Sequence, residues 1–203
     1  MRPRTLAAIV ASLAVSLALG GCLKRSKVAR SYVLDPVPAQ GQSIPDTATG
    51  AVIGVERVAI PGWLDRPQVT GRSASGAIVS DEYSRWGEPL SRGIQRVVAE
   101  SLVVLLPDRR VLTAPFSPRD TVDQRVELTV IEAARQTDGA VLLDARWDVV
   151  GPKGEVLARR RSSHRSSPTA LGAAGAIEGL NGALAALCRE MADVLRTLPP
   201  PAR

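Results

Sequence analysis

One histidine, one phenylalanine and two cysteines are all that the 203 residues hold of those types, and each shortage closes off a class of function. Metal centres need His, Cys or carboxylates clustered at set spacings. With His164 alone and cysteines only at 22 and 188, carboxylates are all that remain, and Asp81-Glu82 reads as a solvated hairpin end. A hydrolase needs a serine and a base in register. His164 lies among Ser162, Ser163, Ser166 and Ser167 in what reads as a polar strand-to-helix connection, and sequence neighbours rarely align for proton transfer. No G-x-S-x-G elbow and no G-x-x-x-x-G-K-[ST] loop occurs. The chain therefore reads as non-catalytic, with no cofactor and no metal. Aromatics make up 3% of it, and none interleaves with the basic run Arg159, Arg160, Arg161 and Arg165, which argues against nucleic acid. That run reads as an edge strand protected by arginine; a lipid-headgroup or partner contact is the other reading.

The amino terminus has what the rest lacks, a long apolar run. Arg2 and Arg4 precede Leu6 to Leu19, the order of a secretory signal, and the run is short of the roughly 20 residues a membrane span needs. Leu19-Gly20-Gly21-Cys22 follows. This tetrad resembles the lipobox of bacterial lipoproteins, and the resemblance implies cleavage before Cys22 with acylation of its sulfur and new amino group. The alternatives are an ordinary secretory signal with an incidental cysteine, and an uncleaved anchor. Residue 23 is leucine and not aspartate, so by resemblance to sorted lipoproteins the chain is expected at the periplasmic face of the outer membrane.

Loss of residues 1–21 leaves 182 residues, enough for one domain with a good core. It also removes Arg2 and Arg4, so 24 basic residues face 20 acidic ones, a net of +4. Lys24, Arg25, Lys27 and Arg30 cluster just beyond the lipid, where they either meet phospholipid headgroups or simply solvate a tether. With Cys22 consumed by lipid, Cys188 has no partner in the chain; it lies in a helical apolar stripe and reads as buried.

The division along the chain is a signal peptide (1–21), a lipidated start with a short strand at Tyr32-Val33-Leu34 and a flexible Pro/Gly-rich segment (22–50), a folded domain (51–198) and a tail (199–203). Within the domain, Val52 to Ile60 reads as a strand covered on both faces. Gln68–Arg72 and Ala77–Ser80 read as a hairpin. A helix opens at Pro89 with Leu90, Ile94, Val97, Val98, Leu102 and Leu105 on one face and ends at Pro107. Val126–Ile131, Val141–Val150 and Glu155–Arg161 form a meander with one wet face, turning at Gly151-Pro152-Lys153-Gly154. Ser167 and Pro168 start a last helix whose second stripe, Gly172, Gly175, Gly179 and Gly182, packs flat on the sheet or first helix, or makes a subunit contact. The expected architecture is a single α+β sandwich, a mixed and mostly antiparallel sheet with both helices on one face.

Ile60-Pro61-Gly62-Trp63-Leu64-Asp65-Arg66-Pro67-Gln68 and Arg85-Trp86-Gly87-Glu88-Pro89-Leu90, with the lipobox, Tyr32-Val33-Leu34 and Ala145-Arg146-Trp147, resemble the ABC-type transport auxiliary lipoproteins, the PqiC/YmbA-like family. Trp63 and Gly87 stand where that family has Tyr and Ala. The resemblance implies a non-catalytic outer-membrane lipoprotein subunit of an intermembrane lipid transport system, which docks a periplasmic MCE-domain partner, supports envelope integrity and forms homo-oligomers to match a ring-shaped partner. A structural or assembly lipoprotein serving a β-barrel or lipopolysaccharide machinery is the alternative. It implies site residues at Leu64, Asp65, Arg66, Pro67, Gln68, Arg85, Trp86, Glu88 and Pro89, beside lipidation at Cys22. Physically, Arg66-Pro67 and Glu88-Pro89 force extended backbone before each proline, and Arg85, Glu88, Asp65 and Arg66 are placed to pair across the junction.

Overall fold

Val141, Leu143, Ala145, Trp147 and Val149 are all buried and, from Leu143 on, alternate with polar Asp144, Arg146 and Asp148, so period-two patterning sets the inner face of the main sheet. The computed structural model describes residues 28–39, 50–73 and 75–198. The signal segment, Cys22, Lys24, Arg25, Lys27 and the tail at 199–203 lie outside the described residues, as do residues 40–49 of the Pro/Gly-rich segment.

The strands are β1 (Arg30–Tyr32), β2 (Ile53–Val55), β3 (Gln68–Arg72), β4 (Ile78–Trp86), β5 (Val111–Thr113), β6 (Gln124–Arg135), β7 (Val141–Val150) and β8 (Val156–Ser166). Among the described residues two helices, α1 (Leu90–Leu105) and α2 (Gly172–Thr197), complete the fold. The α+β class and the two helices are as expected, but the strands divide into two sheets where one was foreseen, in the orders β1-β4-β3 and β5-β2-β6-β7-β8. In the larger sheet β6, β7 and β8 form the antiparallel meander, while β2 runs parallel to both β5 and β6. In the smaller, β1 is parallel and β3 antiparallel to β4. Alternation says which face a residue takes and nothing about which sheet its strand joins.

Strand β2 is shorter than Val52–Ile60, with one further bridge at Ala59, yet both its faces are covered. A side chain at Gly54 would strike Val122 and Phe116, so the loop after β5 closes its outer side. The turn after β7 uses Gly154 at φ +84, a left-handed conformation that glycine adopts without strain. Helix α1 buries Leu90, Ile94, Val97, Val98 and Leu102, and Pro89 stands at its N-cap rather than at its first helical position. Gln95 donates from Nε2 to the carbonyls of Val55 and Ala114, fastening α1 to β2 and β5.

Four local expectations need correction. The first strand is Arg30–Tyr32, and Leu34 beyond it is buried instead of paired in the sheet. Asp35 to Val37 is pinned in place, since the Val37 N–H donates to Ser101 Oγ and Asp35 exchanges hydrogen bonds with Asn181. Strand β8 runs on through His164 to Ser166, so that stretch is no connection. Finally, α2 begins at Gly172, after an N-cap at Leu171 with no side-chain cap. Instead of Ser167 capping it, Glu178 reaches back to accept the Thr169 and Ala170 N–H groups, and those bonds hold its carboxyl below the usual range.

The glycine stripe of α2 packs on its own sheet and on the loop before it. A β-carbon at Gly179 would collide with Val141 of β7, and one at Gly175 with the Ala170 carbonyl. At Gly182 the obstacles are the Ser166 hydroxyl, which can turn aside, and the Ser166 Cβ at 3.3 Å, which needs to give only slightly. Gly179→Val should therefore lower stability by about 1–3 kcal/mol through overpacking. Gly182→Ala, which gains up to ~1 kcal/mol of helix propensity, should be neutral or stabilising. Urea denaturation of both variants checks this, and equal losses at the two positions would refute it.

Candidate functional site

The two motifs meet where the hairpin enters the small sheet and α1 begins. Leu64 is buried and closes a turn in which its N–H and that of Asp65 donate to the Pro61 carbonyl. Pro67, fixed in φ and lacking an N–H, offers its carbonyl to the Trp86 N–H at 2.7 Å. Gln68 pairs with Arg85 across the β3–β4 ladder, and a bulge follows between Gln68 and Val69. Gly87 donates to the Tyr32 carbonyl at 2.7 Å, and a β-carbon there would press on Val33 at 3.0 Å, so the glycine lets β1 come close. Asp65, Arg66, Pro67, Trp86, Gly87, Glu88 and Pro89 thus line one cleft of about 400 Å³.

The pairing expected across this junction is replaced by another. Glu88 Oε1 accepts from Arg96 Nε at 3.1 Å and Nη2 at 2.8 Å, and Arg96 also donates to the Leu34 carbonyl and to Glu100. Arg96 sits on α1 two turns beyond Glu88 and ties the motif to the chain leaving β1. Asp65, Arg66 and Arg85 are exposed, and their side chains make no ion pair or hydrogen bond among the described residues. The Trp86 indole Nε1–H is buried and has no acceptor there. Glu88 also borders a larger groove, about 640 Å³, with Arg57, Arg92 and Arg96.

A second polar cluster went unread in the sequence. Trp147 Nε1 donates to Ser162 Oγ at 2.9 Å, Ser162 donates to Glu190 Oε1 at 2.8 Å, and Glu190 Oε2 meets His164 Nε2 at 2.9 Å. The carboxylate stands between serine and imidazole, so the serine proton is committed to Glu190 and His164 is not its base. The network is a pinned contact between β8 and α2. The signal for it was the alternation of Ser162, His164 and Ser166 on the inward face, opposite Glu190 on a helix.

The arginine run on β8 is largely neutralised. Arg159 and Arg161 each grip a carboxylate of β7, Asp148 and Asp144, through Nε and Nη2, and Arg165 pairs with Asp138. Those hydrogen bonds hold the Asp144 and Asp148 carboxyls below their usual range. Cys188 is buried beside Ser101, and burial pushes its thiol up to about 12. Among the described residues no cluster of three or more His, Cys, Asp or Glu could hold a metal ion, and no helix is long and apolar enough to cross a membrane.

Residues 32–192 match the family model of the ABC-type transport auxiliary lipoprotein component, a stretch that takes in both motifs. The chain belongs to this family. It is a family of auxiliary transport lipoproteins and not of enzymes. Among curated proteins, the intermembrane transport lipoprotein PqiC of Escherichia coli K12 is 24% identical over 145 residues, 71% of this chain and 74% of that protein. PqiC of Shigella flexneri matches equally. Two solved structures share the fold: an uncharacterized protein (TM-score 0.68, 18% identity, 83% of this chain and 99% of that one), and a Xanthomonas campestris protein (0.64, 13%, 82% and 97%).

Proposed function

We propose that the chain is a non-catalytic subunit of an intermembrane lipid transport system, held by Cys22 at the periplasmic face of the outer membrane, where it docks a periplasmic MCE-domain partner and supports envelope integrity. The observation that carries this reading is the family match over residues 32–192, and the lipobox at Leu19–Cys22 supports the anchoring. The curated relatives, named as intermembrane transport lipoproteins, supply the transport role. Leucine at position 23 favours the outer membrane.

The motif junction is the docking surface. Asp65, Arg66 and Arg85 present charges without partners among the described residues on a frame fixed by Pro67, Leu64 and the Glu88–Arg96 pair. Such preorganised charges set register and suppress wrong partners. Tagged full-length chain extracted in mild detergent should bring down an MCE-domain protein. Arg66→Glu combined with Arg85→Glu should cut that recovery about tenfold, ~1.4 kcal/mol of binding, without moving Tm. Recovery of a β-barrel protein instead would favour the assembly role, and undiminished recovery by the double variant would put the docking surface elsewhere.

A further inference from the structure

Several large apolar side chains left in water, Val28, Val79, Tyr83 and Leu171, lie around two adjoining hollows, whereas Val156 is exposed elsewhere, at the start of β8. Val28 is 84% exposed and Leu171 83%, and both border a single hollow of about 580 Å³ with Arg30, Tyr32 and Tyr83. A neighbouring hollow of about 700 Å³ shares Tyr83 and Ala173 with it and extends the patch to Val79, itself 57% exposed. Strand β4 and the start of α2 therefore carry a rim on which Val79, Tyr83, Val28 and Leu171 stand out among polar side chains.

Leu171 is the telling member. It occupies the N-cap of α2, a position where Ser, Thr, Asp or Asn would satisfy an open N–H, and it is followed by Gly172 at φ +65. Fold stability does not explain a nearly bare leucine in place of a cap. Cations surround the rim: Arg30 borders the first hollow, Arg72 and Arg135 the second. Asp81 and Glu82 oppose them, but both Asp81 oxygens already accept hydrogen bonds, from the Tyr83 N–H and the Ser84 hydroxyl.

The occupant follows from the chain itself. Val28 lies six residues after Cys22, and six residues reach at most roughly 20 Å. A domain tethered that closely at Val28 brings the same rim to the surface in which the lipid is buried. The tether adds Lys24, Arg25 and Lys27 beside it, complementary to anionic headgroups. We infer that the Val28–Leu171–Val79 face is a membrane-contact surface, which seats the domain on an anionic phospholipid bilayer with Leu171 and Val28 reaching the headgroup–acyl boundary and the motif cleft left for the partner. This rests on lipidation at Cys22.

Full-length lipidated chain carrying Leu171→Cys, labelled with an environment-sensitive fluorophore, tests it in vesicles of phosphatidylethanolamine and phosphatidylglycerol. Cys188 is buried, so the label reports position 171. Lys153→Cys, in the turn after β7, is the control. Flotation reads the anchor; emission and quenching by doxyl-labelled lipid read the face. Doxyl lipid should quench the 171 label about threefold and leave the 153 label unchanged, as expected for residues at the headgroup–acyl boundary. Vesicles of phosphatidylcholine alone should weaken the effect. Protein that floats while both labels stay equally wet overturns the inference and leaves the anchor standing. A 171 label shielded in detergent in a concentration-dependent way assigns the face to a second copy. Failure to float removes the anchor and the inference together.

Discussion

Trp147→Ala should lower the free energy of unfolding by about 3–5 kcal/mol, a large part of the ~5–15 kcal/mol a domain has in total. Trp147 is 1% exposed and is the largest fully buried side chain in the core, on the middle strand of the meander where it faces α2. Its loss leaves a cavity that β7, held by β6 on one side and β8 on the other, cannot collapse. It also strips Ser162 of its indole donor, although Ser162 keeps its bond to Glu190. Trp147→Phe separates the two effects, since it retains most of the volume and gives up the hydrogen bond, worth ~1 kcal/mol, together with the smaller part of the packing. Urea denaturation should move the midpoint strongly for alanine and modestly for phenylalanine at an unchanged slope. A loss below ~1 kcal/mol for alanine would mean that the core does not depend on this residue.

The meander and α1 were legible because each has a single buried face, so that hydrophobic periodicity and burial coincide. Val141 to Val149 alternate for that reason, as do Leu90 to Leu102 at helical spacing. Where burial is polar, the pattern fails. Ser162 is buried and His164 partly so on the inward face of β8, and Glu190 satisfies them from α2; read along the chain, they look like loop. Strand β5 is three residues, held by its parallel neighbour and too short to carry a period. The start of α2 was misplaced because Ser167-Pro168 is a good local capping signal, whereas the real boundary is set by Glu178 gathering Thr169 and Ala170.

The candidate site was legible through resemblance, not through local chemistry. Asp65, Arg66, Pro67, Trp86, Glu88 and Pro89 of the two motifs line one cleft, as two prolines at a hairpin entrance and a helix start would arrange, whereas Leu64, Gln68 and Arg85 do not line it. Their charges could not be matched from sequence. Glu88 pairs with Arg96 because α1 turns that guanidinium back toward the end of β1, where the Leu34 carbonyl also needs a donor. That choice leaves Asp65, Arg66 and Arg85 without an ion pair among the described residues.

Cys22→Ala should change the protein's address by orders of magnitude while leaving its fold alone. Each acyl chain contributes ~0.8 kcal/mol per buried methylene, and two or more together make release from a bilayer negligible. Without them, membrane attraction falls to the cations at Lys24, Arg25, Lys27 and Arg30, about 1 kcal/mol each near an anionic surface and screened by salt, plus whatever the Val28–Leu171 face adds. The variant should lose incorporation of labelled palmitate, and a salt wash should release it from membranes that retain the wild type. Its Tm should match the wild type's, because the buried core among the described residues begins at Leu34, twelve residues beyond position 22. Palmitate incorporation undiminished in Cys22→Ala would place the anchor at another residue. A wild-type chain that washes off in salt would reduce its membrane attachment to charge alone, and with it the case for a subunit fixed at the outer membrane.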